Sequence, residues 1–214
     1  MLFIALSAFF VWLAFRVILR PTNPVQGHDS FDIGYILLMV GLAIAAGWMP
    51  FKAWRFEQLL SEKASILAER TATVHCNTAF DAIFDNKIRM AGHANPATGE
   101  IVFQYSWCAH LMEYMAHPEN INRKQLFSLH VLTHEAMHAR GEYNEQKTDC
   151  QAVQRNYRTA LLLGVPEHLA RKHAVRYYLN LYPSHPYASR ECAPGKALDE
   201  QLPDSTWKHL DQSS

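Results

Sequence analysis

His134, Glu135 and His138 form the most specific chemical pattern in the chain, H-E-x-x-H, in the segment Thr133-His134-Glu135-Ala136-Met137-His138. On an α-helix, side chains four apart stand one above the other. Two imidazole nitrogens one turn apart can therefore close on one Zn²⁺ ion. Glu135, beside the first of them, is placed to take a proton from a water that the ion acidifies. The chemistry this suits is hydrolysis, of a peptide bond above all.

A hydrolytic zinc site takes three protein ligands and keeps one position open. Asn144 is suited to cap a helix over 145–163, whose opening carries Glu145 and Asp149 on one face. Glu145 then offers the third ligand, and Asp149 accepts a hydrogen bond from the far nitrogen of a ligand histidine, fixing its tautomer. Asp149 in place of Glu145 as the ligand stays open on spacing alone. His130, one turn before His134, reads as a packing or solvent-facing residue rather than a spare ligand. His110, His173, Tyr143, Arg176, Tyr177 and Tyr178 are candidates for the group that polarises a substrate carbonyl, and the sequence does not choose among them.

H-E-x-x-H followed by E-x-x-x-D resembles the gluzincin metallopeptidases over about Val131 to Asp149. The resemblance implies His134, His138 and Glu145 as zinc ligands, Glu135 as general base and Asp149 behind a ligand histidine. The spacer from His138 to Glu145 is shorter than in the thermolysin-like members and is similar to that of small zincins in which two helices meet across a tight turn. Gly141 gives a partial likeness to the metzincins, but their third histidine would fall at Asn144, a poor zinc ligand.

These residues need elements to hold them. Leu126, Leu129, Thr133 and Met137 recur at helical spacing and can face a core while the histidines face a cleft; Gly141 is the stop of that helix, 123–140. Further helices are expected over 52–71, 107–115, 145–163 and 166–181. Runs at Lys87 to Met90 and Ile101 to Tyr105 flank Asn95-Pro96 and Thr98-Gly99, a β-hairpin pattern. An edge strand there could pair with an extended peptide. The tail from Pro183 reads as loop, tied down at Cys192.

Apolar residues concentrate at the start of the chain. Met1 to Phe15 has no charged side chain, and Arg16 can snorkel. Ile33 to Phe51 is a second uncharged run, ended by Trp48, Lys52, Trp54 and Arg55 as an interfacial anchor. A secretory signal peptide competes for the first run, but it lacks a basic start and a small-x-small cleavage site. The expected result is a transmembrane helical hairpin turned at Pro21-Thr22-Asn23-Pro24. Flanking charges lean towards a cytoplasmic soluble part. Cys76, Cys108, Cys150 and Cys192, without C-x-x-C spacing, lean towards two disulfides and an extracytoplasmic one, and that side is expected because the charge difference is a single residue.

The fold expected is mainly α with a small β-hairpin: a membrane-anchoring hairpin over 1–51, a connecting helix over 52–72, and a compact zincin-like α+β domain over 73–214. Lys and Arg balance Asp and Glu at 20 each with no basic run, so no nucleic-acid partner is expected. The partners expected are a membrane and a peptide or protein substrate. The function expected is a membrane-anchored zinc metallopeptidase. Its rival is a membrane-tethered, non-catalytic zinc-binding or interaction module. Arg123, Lys124, Arg140, Glu142 and Lys147 lie too close to the motif for an intramembrane protease.

Overall fold

The computed structural model describes residues 2–20, 27–77 and 91–212. The chain forms two units, Met1–Phe56 and Glu57–Ser214. The first holds α1 (Leu2–Leu19) and the greater part of α2 (Ser30–Ala68). Both helices are long and apolar enough to cross a membrane. Leu2, Phe31 and Leu37 are 76%, 70% and 67% exposed, so no protein core in this unit covers their apolar faces. The Ser7 hydroxyl donates to the Ala43 carbonyl at 2.9 Å, and Gly47 lies against the same serine, which brings α1 and α2 close. Arg16 lies over Trp12 and Lys52 over Trp48, both within cation–π range. Pro50 sits inside α2, where it deletes one backbone hydrogen bond. The expected turn at Pro21–Pro24 lies outside the described residues.

The second unit is mainly helical with a small mixed sheet. From Glu57 on, α2 buries Leu60, Ala64, Leu67 and Ala68. It also holds the first strand through polar side chains. Ser61 Oγ accepts from Val74 N at 2.8 Å, Ser65 Oγ from Ala72 N at 2.9 Å, and Glu57 Oε1 from Cys76 N at 2.8 Å. The strands are β1 (Thr73–Cys76), β2 (Gly92–Asn95) and β3 (Glu100–Phe103), in the order β1-β3-β2. β1 runs parallel to β3, with Thr73 opposite Glu100. β2 runs antiparallel, with Gly92 opposite Phe103. The hairpin therefore exists, but its first arm is Gly92–Asn95. The expected arm at Lys87–Met90 lies outside the described residues. Tyr105 belongs to the next helix, not to the strand, because the chain turns at Gln104, whose carbonyl accepts from Trp107 N and Cys108 N.

Four helices follow: α3 (Tyr105–Ala116), α4 (Arg123–Arg140), α5 (Glu145–Leu162) and α6 (Glu167–Asn180). α4 is the hub and packs on α3, α5, α6, β2 and β3. Its start is a capping box: Asn122 Oδ1 accepts from Lys124 N and Gln125 N, and Gln125 Oε1 accepts from Asn122 N at 2.7 Å. Its end is Gly141 at φ 116, where Glu142 N bonds back to Met137 O. Leu126, Leu129, Thr133 and Met137 are fully buried, as their spacing requires. The α4–α5 crossing is pinned by Thr133 Oγ1 donating to Thr159 Oγ1 at 2.9 Å.

The tail is loop with two 3₁₀ turns, Tyr182–Ser184 and Thr206–Gln212, but it is not loose. It lies along α5, fastened by Cys150–Cys192, Arg155–Glu200, a two-bond Arg158–Asp204 pair, and Thr206 Oγ1 donating to Val153 O. The second disulfide, Cys76–Cys108, ties β1 to α3. With its cysteines 42 positions apart in sequence, Cys150–Cys192 is expected to contribute about 4 kcal/mol through loop closure. Replacing both cysteines by alanine should lower the denaturation midpoint and open new protease cleavage sites between residues 183 and 205. An unchanged midpoint and digestion pattern would show that the ion pairs alone hold the tail.

Candidate metal centre

His134 and His138 lie one turn apart on the cleft face of α4, and the turn after Gly141 returns α5 so that Glu145 meets them. Asn144 starts α5 by accepting from Lys147 N at 2.9 Å. Three donor atoms then converge. His134 Nε2 and His138 Nε2 are 3.1 Å apart, and Glu145 Oε2 is 3.2 Å from the first and 3.3 Å from the second. Corners about 3.2 Å apart lie on a circle of radius about 1.85 Å. An ion held at about 2.0–2.1 Å therefore fits just off their plane, as in tetrahedral zinc sites.

The remaining ring nitrogens show why the donors face inward. His138 Nδ1 donates to the Glu142 carbonyl at 2.7 Å. His134 Nδ1 lies 3.3 Å from Asp149 Oδ1, close enough for the charge but off the line of a good hydrogen bond. Both Nε2 lone pairs thus point at each other beside a carboxylate oxygen. Three electron-rich atoms at this spacing repel unless a cation sits among them. Burial by itself lowers the His134 pKa, but its contacts to Asp149 and Glu145 and the Glu135 charge outweigh it and raise the pKa to about 9. The His134 contact lowers the Glu145 pKa against a smaller opposing effect of burial, so its carboxylate is ionised.

Behind this trio stands Asp149, fully buried. His130 Nε2 donates to Oδ1 at 2.8 Å, and His185 Nδ1 lies 3.0 Å from Oδ2. Burial alone would raise the Asp149 pKa; the imidazoles of His130, His134 and His185 outweigh it and hold the carboxyl well below the usual range. His130 is also fixed on its other side, where Asn156 Nδ2 donates to Nδ1 at 3.2 Å, and it stacks on Tyr177 at 4.1 Å. Burial lowers the His130 pKa more than Asp149 raises it, so the ring is neutral. His130, Asp149 and His185 are close enough to surround an ion as well. The 2.8 Å contact between His130 and Asp149 is a hydrogen bond, and both residues are shut from solvent. This second group therefore fits a hydrogen-bonded support, while the first borders an open cleft.

That cleft has a volume of about 430 Å³. Glu135 lies on it beside β2, and Gly92 is what lets β2 come so close. A Cβ there would sit 3.2 Å from both Glu135 Cγ and Val131 Cγ1. Of the candidates for a carbonyl-polarising group, only Tyr143 lines the cleft. Tyr114 and His173 bond to each other at 3.0 Å, Arg176 donates to Ile121 O, and Tyr178 donates to Cys192 O. Tyr177 is the buried shelf under His130, and His110 packs against Trp107 on α3. His185 and Tyr187, which were not among the candidates, also line the cleft, the latter stacked at 6.2 Å on His134. Their signal was the His-Pro-Tyr run in a tail with a cysteine to anchor it.

No protein-family model, curated protein or solved structure matches the chain. The site therefore has to be judged on its own geometry. His134 carries a proton below about pH 9 and must lose it to ligate an ion. Zinc binding at pH 7 should therefore release about one proton. Apparent affinity should rise about tenfold per pH unit towards pH 9 and then level off. Chelator competition between pH 6.5 and 9.5 reads this directly, and a flat profile would contradict the raised pKa of His134. Asp149→Asn should weaken zinc binding about 10–100-fold while His134 and His138 remain in place; unchanged affinity would remove Asp149 from the support.

Proposed function

We propose that the chain is a membrane-anchored, zinc-dependent metallopeptidase of the short-spacer zincin type, its soluble part in an oxidising, extracytoplasmic compartment. The observation that carries this reading is the trio His134 Nε2, His138 Nε2 and Glu145 Oε2 at 3.1–3.3 Å, with Glu135 beside it on an open cleft. The donor set, two neutral imidazoles and one carboxylate, suits zinc. A bound zinc ion would acidify a water in its open position and polarise a carbonyl oxygen.

The chain's own residues supply the rest. β2 is the outer strand of the sheet among the described residues and borders the cleft, so an extended peptide could lie along it with the scissile bond across the floor of the cleft. Glu135 takes the proton of the water as its oxygen bonds to the carbonyl carbon, and passes it to the amide nitrogen as the C–N bond breaks. Tyr187, whose ring stacks on His134 at the cleft, takes the role of donating its hydroxyl to the carbonyl oxygen as charge builds there. Burial first, then the nearby carboxylates of Glu145, Asp149 and Glu135, raise its pKa, so it keeps that proton. The two disulfides support the compartment, and the two long apolar helices support the anchor.

Glu135→Gln should keep the zinc content of the wild type and lose peptide hydrolysis by about 10²–10⁴-fold. Undiminished turnover at equal zinc content would refute the assignment. Tyr187→Phe should lower kcat by about 10²-fold with KM and zinc affinity unchanged. A tethered module whose ion only supports the fold predicts instead no zinc-dependent cleavage by the wild type, and unfolding when zinc is chelated.

A further inference from the structure

A second hollow of about 250 Å³ lies at the other end of α4 from the metal trio. Its walls are Trp107, Phe127, Tyr177 and His185, and its rim carries Arg123 and Lys124. Phe127 and His185 also line the metal cleft, so the two hollows adjoin. Both cations are exposed. Arg123 reaches only the Ser184 hydroxyl, at 3.4 Å, and neither cation has an ion pair among the described residues. Elsewhere in this unit Arg140, Arg155, Arg158 and Arg171 each meet a carboxylate.

The placement runs against local preference. A helix start favours acidic side chains, because its free N–H groups are partly positive. α4 opens with Arg123 and Lys124 and has no acid in its first turn. The two cations therefore set a positive field at the rim of an aromatic-walled hollow, with no ion pair among the described residues to answer them. An anionic group with an apolar neighbour fits this place.

We propose that this hollow is a recognition subsite for a substrate carboxylate, from an acidic side chain or a free C-terminus. This rests on the peptidase reading and names the class of peptide it would take. Lys124 and His134 are ten residues apart on α4, roughly 15 Å along the axis. An extended peptide covers that in about four or five residues, and the flexible cations widen the range by about one residue either way. The subsite would then select peptides with a carboxylate three to six residues from the scissile bond.

The test uses the zinc-loaded full-length protein in detergent micelles. Anisotropy is measured with octapeptides of neutral residues, labelled with an uncharged fluorophore of the boron-dipyrromethene type, that carry one Glu or, at the same position, Gln, each with a free or an amidated C-terminus. Glu135→Gln protein is used so that the peptides are not consumed. The charged peptides should bind about tenfold more tightly than the neutral ones, and Arg123→Gln with Lys124→Gln should abolish the difference without weakening the neutral peptide. Loss of the preference on amidation alone assigns it to the C-terminus; persistence on the Glu peptides assigns it to the side chain; either supports the subsite. Equal binding of all four peptides, or a preference that survives in the double variant, overturns it. Wild-type turnover separates the two readings. Cleavage without charge preference sinks the subsite alone. Charge-selective binding without any cleavage leaves the subsite standing and sinks the peptidase.

Discussion

A carboxylate with no exposure to solvent, that of Asp149, organises the centre of the second unit. Removing such a group from water costs several kcal/mol unless close partners answer its charge. Here the answer comes from three imidazoles. His130 and His134 arrive from α4 and His185 from the tail, while the carboxylate itself sits on α5. Three separate pieces of chain are thus tied at one point. Each of these imidazoles that turns one nitrogen towards Asp149 has its other nitrogen set in direction. For His134 that direction is the metal trio; for His130 it is Asn156.

The surrounding elements serve that arrangement in different ways. The capping box at Asn122 and the left-handed Gly141 set where α4 begins and ends, and so which of its faces meets α5. Gly92 lets β2 lie against Val131 and Glu135 with no side chain between. The Cys150–Cys192 bond leaves α5 at the residue after Asp149 and holds the tail that carries His185 and Tyr187. A change at that disulfide would therefore reach the cleft through two residues far from it in sequence.

Much of this was legible in the residues because it is local. The period of Leu126, Leu129, Thr133 and Met137, the cap at Asn144 and the stop at Gly141 each involve neighbours within two turns. The meeting of His134, His138 and Glu145 follows from two helices across a short turn. What was not legible depends on contacts through space. β1 and β3 pair in parallel across 27 positions, Thr73 to Glu100, a register that no short window contains. β2, Gly-His-Ala-Asn, has no β-branched residue and forms because β3 and α4 lie on either side of it. His185 lies in a segment with no periodicity, and its approach to Asp149 is set by the disulfide and ion pairs of the tail. That α1 and α2 are long and apolar enough to cross a membrane could be read from composition alone, since it needs no partner to be seen.

The central claim is that one ion is held by His134, His138 and Glu145 with a position left to solvent. X-ray absorption at the zinc edge, on the full-length protein loaded with one equivalent of zinc, addresses it most directly. The account predicts two imidazoles among four nitrogen or oxygen neighbours at about 2.0–2.1 Å and no sulfur, with one imidazole lost in His138→Ala. Sulfur at about 2.3 Å, or a spectrum that His138→Ala leaves unchanged, would place the ion elsewhere and contradict it.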